Sequence, residues 1–213
     1  QLVGKATNAC ALAPRWYGVR YRMKLSLPEP DEELVIGFIE KFDKSQIAVD
    51  RALGKLFRLF PTNTSLEDVL LKVVTLNSLY ATGILATYRV AEHIQQLQID
   101  PLLQSGDPQA VAQIAQVRIG NKIRNNYSFA SKYCAWHNPR AYPIFDGFVE
   151  QMLWNYQRQD SFCQFRRQDL REYKKFRQAI DEFCHYYHLT KFGYKEIDKF
   201  LWLAGKEYFP TSP

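Results

Sequence analysis

No stretch of this sequence approaches the roughly 20 consecutive apolar residues that a membrane-spanning helix requires, so neither a transmembrane segment nor a membrane partner is expected. The N-terminal QLVGKATNACALAPRWYGVRYR lacks the long apolar core of a secretory signal and does not begin with methionine, whereas Met23-Lys24-Leu25-Ser26 offers a plausible start. Residues 1–22 are therefore taken as an extension or arm, and Arg15, Arg20, Arg22 and Lys24 would suit contacts to DNA. Cysteine is sparse. Cys10, Cys134, Cys163 and Cys184 form no CxxC pair and no regular framework, which argues against a disulfide scaffold and for reduced thiols in a cytoplasmic protein. Alternating strand patterns, internal repeats and low-complexity linkers are also missing.

What is present is helical periodicity. Leu34, Val35, Phe38, Ile39 and Phe42 recur at helix spacing after the acidic start PEPDEE, and Ile47 to Phe60 continues to Pro61. In TSLEDVLLKVVTLNSLY, Ser65 and Asp68 mimic a capping box, and Leu66, Val69, Leu70, Val73 and Val74 make a buried face. Gly83 breaks that helix and Ile84 to Leu97 resumes it; Asp107-Pro108 opens a short one. The pattern restarts at about Asn126 and stops at Asn138-Pro139, with further helices over 146–157, 169–187 and about 195–207. The fold class is all-α. At 213 residues, folding buries roughly 70% of the unfolded chain's surface, so neither disulfide nor metal is needed for stability. A net charge of +6 combined with 13 Tyr and 4 Trp suits nucleic acid, since cations neutralise phosphates while rings stack on bases.

Asp146 raises the functional question. In YPIFDGFV a carboxylate stands in apolar surroundings where a helix begins, which suits an N-cap and also a catalytic group aimed into a cleft. The segment SFASKYCAWHNPRAYPIFDGFV resembles the core of the helix-hairpin-helix DNA glycosylases, most closely their 8-oxoguanine-glycosylase-like branch, over about residues 125–155. Pro143-Ile144-Phe145-Asp146 matches the family's P-V-D loop with one extra residue, while the Gly-rich hairpin of the type L-P-G-V-G is absent and only Ile119-Gly120-Asn121-Lys122 sits nearby. The four-Cys iron–sulfur pattern of some glycosylases is also missing.

The resemblance implies a two-lobed helical fold with a central cleft, base flipping, and Asp146 as the carboxylate that stabilises a cationic sugar or activates water. Some family members use a lysine nucleophile. Its position falls near Ser128 here, with Lys122 and Lys132 as the remaining candidates, so a monofunctional enzyme with Lys132 at the site is expected. Asp198 and Trp202 are four apart on the last helix and are similar to an acid-and-Trp pair that reads the base in the archaeal branch. Asn77 and Tyr80, in a polar cluster where a helix ends, and Trp136, beside the Asp loop, complete the expected base pocket. Lys122, Arg124, Ser128, Arg166 and Arg167 are the candidate DNA contacts.

The expected activity is excision of a modified base from duplex DNA by a monomeric enzyme without cofactor. The base is either an oxidised or damaged one (repair) or a hypermodified one in foreign phage DNA (defence). The alternatives are a non-catalytic helical DNA-binding module and a zinc-clamped interaction domain. The latter would use Cys134-x2-His137 and Cys184-x3-His188, which have metal-ligand spacings.

Overall fold

Asp31 starts the first helix. Its carboxylate accepts from the Leu34 amide at 2.8 Å, and Glu32 and Glu33 occupy the first turn, where negative charge opposes the helix dipole. This helix, α1 (Glu32–Leu59), runs unbroken through both apolar stretches that precede Pro61. The computed structural model describes residues 26–210, and the expectations for residues 1–22 lie outside the described residues. Helix α2 (Leu66–Tyr80) begins as its sequence predicts, with Ser65 Oγ accepting from the Asp68 amide at 3.3 Å. It ends at Ala81 in the left-handed conformation (φ 48°), and α3 (Thr87–Gln96) starts three residues later than the Ile84 predicted from periodicity. The delay has a cause: the Asn77 side chain binds both backbone groups of Ile84 and holds that segment as a loop.

Short helices α4 (Asp100–Ser105) and α5 (Gln109–Ala115) follow, and Asp107 Oδ1 accepts from the Gln109 amide at 2.8 Å. The mostly helical chain is consistent with the all-α class and carries one short β-ribbon, which the sequence pattern did not reveal. Strands β1 (Gln116–Ile119) and β2 (Lys122–Asn125) pair antiparallel, with Ile119 opposite Lys122 and a two-residue turn at Gly120-Asn121. Gly120 has φ 59°, as tight hairpin turns demand. Only Val117 is buried in this ribbon, so four-residue strands leave almost no alternating signal. The ribbon stands between α5 and α6 (Tyr127–His137), where the resemblance placed a Gly-rich turn.

The chain continues through α7 (Gly147–Asp160), a 3-10 turn (Arg167–Arg171), α8 (Tyr173–Tyr186) and α9 (Tyr194–Tyr208). Among the described residues the molecule is thus mostly helical, and no helix is long and apolar enough to cross a membrane. Helix α9 packs against both α1 and α7, α5 against α6, and α2 against α3. Gly205 permits the α7–α9 approach: a Cβ there would lie 2.8 Å from Phe148 Cβ and 3.1 Å from Phe148 O. This close crossing brings the face of α9 to the start of α7, where Asp146 sits.

One polar hub lies inside the core. Lys72 Nζ donates to Phe60 O (3.0 Å), Thr62 O (2.8 Å) and Asn63 Oδ1 (2.8 Å), and lies 3.3 Å from His137 Nε2. Asn63 is itself held by Asp100. The ammonium thereby ties off carbonyls at the end of α1 that would otherwise be orphaned. Burial pushes Lys72 down to about 8; burial and the adjacent Lys72 charge push His137 down to about 3.

Candidate functional site

Tertiary bonding fixes the loop before α7 to α6. The Phe145 amide donates to Ser131 Oγ (3.0 Å), and its carbonyl accepts from Ser128 Oγ (3.1 Å), Ser131 Oγ (3.3 Å) and Lys132 Nζ (3.3 Å). The Phe145 ring packs on Tyr127 and Phe176, with the Arg171 guanidinium 5.2 Å from its centroid. Tyr173 donates to Pro143 O at 2.8 Å. Asp146 is therefore placed by a braced backbone, and its own carboxylate is held at both oxygens. Oδ1 accepts from the Phe148 amide (3.0 Å) as a helix cap, and Oδ2 accepts from Lys132 Nζ (3.1 Å). Cap and cleft-facing carboxylate coincide in one residue.

Lys132 is not a solvated surface lysine. Its side chain is 3% exposed, and its ammonium donates to Asp146 Oδ2, Ser128 Oγ (2.7 Å) and Phe145 O, which occupies all three protons. Ser128 and Lys132 stand one turn apart on the same face of α6, so the long lysine reaches back to the serine.

Above this ion pair opens a cavity of about 370 Å³, lined in part by Tyr80, Trp136, Asp146, Asp198 and Trp202. Its walls mix aromatic rings with charged side chains, Asp50, Lys195, Lys199 and Lys206 among them. Trp136 Nε1 donates to Tyr80 OH (3.2 Å), Phe42 packs edge-on against Trp202 at 5.7 Å, and Tyr194 adds a further ring. Asp198 is partly buried, yet its Oδ1 is fully enclosed and has no hydrogen-bond partner among the described residues. Desolvation raises its pKa to about 8; the Asp146 and Asp50 charges add to the rise, while Lys132 and Lys195 oppose it. A carboxyl group so placed is protonated below about pH 8 and can donate as well as accept.

The structure thus gathers Asp146, Lys132, Asp198, Trp202, Tyr80 and Trp136 at one cavity. The other predicted residues lie elsewhere. Asn77 does not line the cavity: its amide is consumed by Ile84 O (3.0 Å), the Ile84 amide (2.9 Å) and Thr82 Oγ1 (2.7 Å). Ser128 lies beneath the site, bonded to Lys132 and Phe145. Lys122 and Arg124 are exposed on β2, outside the cavity lining. Arg166 and Arg167 are exposed but turned to carboxylates, Arg166 to Asp169 and Arg167 to Glu150, each at 3.5 Å.

The zinc clamp does not form. No group of three or more His, Cys, Asp or Glu residues able to hold a metal ion occurs among the described residues. His137 instead faces Lys72, and Cys134 is buried in the core.

Sequence reasoning missed Asp50, Lys195 and Lys199. Lys195 pairs with Asp50 at 2.8 Å and lies 4.0 Å from the Trp136 centroid, while Lys199 pairs with Asp43 at 2.5 Å. A signal existed, because Phe42, Gln46, Val49 and Asp50 share one face of α1, and Lys195, Asp198, Lys199, Trp202 and Lys206 share one face of α9. What the stripes did not say is that the two faces meet.

Fold and site together describe a mostly helical protein with a cavity lined by aromatic and charged side chains, among them buried Lys132 paired with partly exposed Asp146. The HI_0787_N family, described as an N-terminal domain, matches residues 34–141, just over half of the 213-residue chain. A protein of Haemophilus influenzae (strain Rd), carried as "Uncharacterized protein", is 37% identical over 207 residues, spanning 91% of this chain and 99% of the relative. The chain belongs to the HI_0787_N family. No solved structure matches it. Tyr80, Lys132 and Trp136 fall within the family segment and Asp146, Asp198 and Trp202 beyond it, so the cavity is built from both parts of the chain.

Proposed function

We propose that this protein is a DNA glycosylase that flips a modified base into the cavity and hydrolyses its N-glycosidic bond, leaving an abasic site. The observation that carries the proposal is a fixed carboxylate, Asp146, in a cavity of aromatic and charged side chains that also holds the enclosed, unpartnered oxygen of Asp198. Planar rings in the lining suit a planar heterocycle, and an unpartnered acid oxygen beside them suits its polar edge.

As the C1′–N bond breaks, its electron pair leaves with the base and positive charge develops on the sugar. Asp146, held by the Phe148 amide and by Lys132, supplies the opposing charge without having to reorganise. Water then adds to C1′, its proton passing to the Asp146 carboxylate. Protonated Asp198 donates to the departing base, which lowers the cost of charge accumulating there. Lys132 acts as the positioning cation rather than as a nucleophile. All three of its protons are engaged, so no lone pair is free to attack C1′, and the reaction stops at the abasic site without strand cleavage.

In this reading the helices on either side of the cavity are the two lobes of a glycosylase-like fold. Duplex DNA lies across the mouth, a monomer suffices, and the exposed Lys122 and Arg124 meet phosphates. The substrate is either an oxidised or damaged base, as in repair, or a hypermodified base of foreign phage DNA, as in defence.

The test is abasic-site formation on duplexes carrying oxidised, alkylated, deaminated or phage-type hypermodified bases, with wild type and Asp146→Asn side by side. Release of one base by wild type alone supports the proposal and identifies the substrate. Salt-sensitive DNA binding without release of any base refutes it and leaves a non-catalytic DNA-binding module.

A further inference from the structure

We infer that the excised base carries an acidic substituent, which runs along the α1–α9 seam of the cavity to Lys206, an inference that rests on the glycosylase reading. The cavity is long in the direction of that seam. Its lining on α9 extends from Lys195 to Lys206, about 16 Å at 1.5 Å per residue. On α1 it extends from Phe42 to Asp50, about 12 Å on the same measure. Asp198 stands towards the Lys195 end, and Lys206 lies two turns beyond it on the same face of α9. A planar base held at Asp146 and Asp198 therefore leaves the stretch beside Phe42, Trp202 and Lys206 to something the base carries.

Charge indicates what that is. Four lysines line the cavity: Lys132, Lys195, Lys199 and Lys206. Three are neutralised within the protein. Lys132 pairs with Asp146 at 3.1 Å, Lys195 with Asp50 at 2.8 Å and Lys199 with Asp43 at 2.5 Å. Lys206 has no carboxylate partner among the described residues, because the adjacent Glu207 is turned to Lys41. Nor does Asp198 offset it, since burial raises that carboxyl to about 8 and keeps it neutral at ordinary pH.

The unmatched cation is also held in place. Lys206 Nζ lies 4.3 Å from the centroid of Trp202, a ring that lines the cavity itself. Attraction to the ring face sets the position of the ammonium before any ligand arrives. An anion completing this site gains a charge-assisted bond without first breaking an ion pair within the protein. A backbone phosphate is the other anion that a DNA complex brings near. The geometry favours the substituent, because Lys206 follows Asp198 and Trp202 along one face and lines the same cavity, whereas the duplex backbone runs across the mouth.

The test compares duplexes that differ by one charge. One member of each pair bears a carboxymethyl group and the other its uncharged amide, carbamoylmethyl, placed at C5 of uracil or at C7 of 7-deazaguanine. All are 2′-fluoroarabino nucleotides, which resist glycosidic cleavage, so binding is read without turnover. On at least one of the two bases, wild type should bind the carboxylate duplex about fivefold more tightly than the amide, the upper end for an ion pair that water still reaches. Lys206→Met should bring that ratio to about one and Lys206→Glu should invert it. Both proteins should melt with wild type, because Lys206 is exposed.

Equal binding of carboxylate and amide by wild type on both bases overturns the inference. So does a Lys206→Met protein that binds both members of a pair more weakly by one factor and with a shallower salt dependence, since Lys206 would then be a backbone contact. Either result leaves the glycosylase reading intact. If wild type binds none of the duplexes, the glycosylase reading falls and the acidic substituent with it.

Discussion

Replacing Asp146 with Asn separates holding the loop from doing chemistry. An Asn oxygen can still accept from the Phe148 amide, and Asn is as good an N-cap as Asp, so the start of α7 is preserved. What disappears is the charge 3.1 Å from Lys132 Nζ. Removing one partner of a fully buried pair costs about 3–5 kcal/mol, whereas an exposed pair contributes at most about 1 kcal/mol. The Lys132 side chain is 3% exposed and that of Asp146 22%, and the ammonium keeps Ser128 Oγ and Phe145 O as acceptors. The cost of Asp146→Asn should therefore lie between the two limits, at about 2 kcal/mol. For a chain of this length that corresponds to a fall in Tm of about 4–8 °C.

Removing the stranded cation as well should reverse most of the loss. In Asp146→Asn/Lys132→Met the methionine fills similar space and leaves no charge to desolvate. Lys132→Met alone should cost less than Asp146→Asn, because the partly exposed Asp146 can still be hydrated. Activity should follow a different order: both variants lacking the carboxylate should lose about 10²–10³-fold or more in single-turnover base release, and recovered stability should not recover it. The measurements are thermal unfolding of the four proteins and base release from the duplex that wild type attacks. Asp146→Asn melting with wild type would refute the bracing role of the pair. A double variant as active as wild type would refute catalysis by Asp146.

The pKa of Asp198, raised to about 8, makes folding take up a proton between about pH 4 and 8, so this group's contribution to stability declines as pH rises through that window. Asp198→Asn should flatten this component of Tm against pH and should remove a loss of base release above about pH 8. His137 has the opposite sign: its folded pKa of about 3 lies below the ordinary 6.5, so its contribution is complete above about pH 6.5 and is lost as pH falls towards 3. His137→Gln should weaken the acid limb of the Tm profile, measured against wild type in the same buffers. Gly205→Ala should drive α9 away from α7 through its contact with Phe148 and lower stability by about 1–3 kcal/mol, visible as a reduced denaturant midpoint.

Helix positions were largely legible in the sequence because their signals are local. Ser65 caps α2 and Asp146 caps α7 through bonds to amides two or three residues away, and Pro61 and Asn138-Pro139 end helices through backbone restriction within a residue or two. Asp198 and Trp202 fell together because i and i+4 share a helix face. The hairpin at 116–125 escaped, since four-residue strands with one buried side chain carry almost no periodic pattern.

Sequence alone determined that the chain is mostly helical, that Asp146 heads a helix, and which residues share a stripe on α9. Only the tertiary structure decided what each stripe meets. Lys132 looks like an ordinary lysine in SFASKYCAW, yet the Phe145 carbonyl and Asp146 reach it from a loop 13 and 14 residues away, while Ser128 meets it from one turn back on its own helix. Asn77, polar at a helix end, was free in sequence to face the pocket or cap the loop, and the backbone of Ile84 claimed it. Asp50 and Lys195 are separated by most of the chain and meet because Gly205 lets α9 settle against α7 while its other face reaches α1. Local caps and periodicities are written into neighbouring residues, whereas burial, ion pairing and pKa depend on dielectric surroundings that distant segments supply.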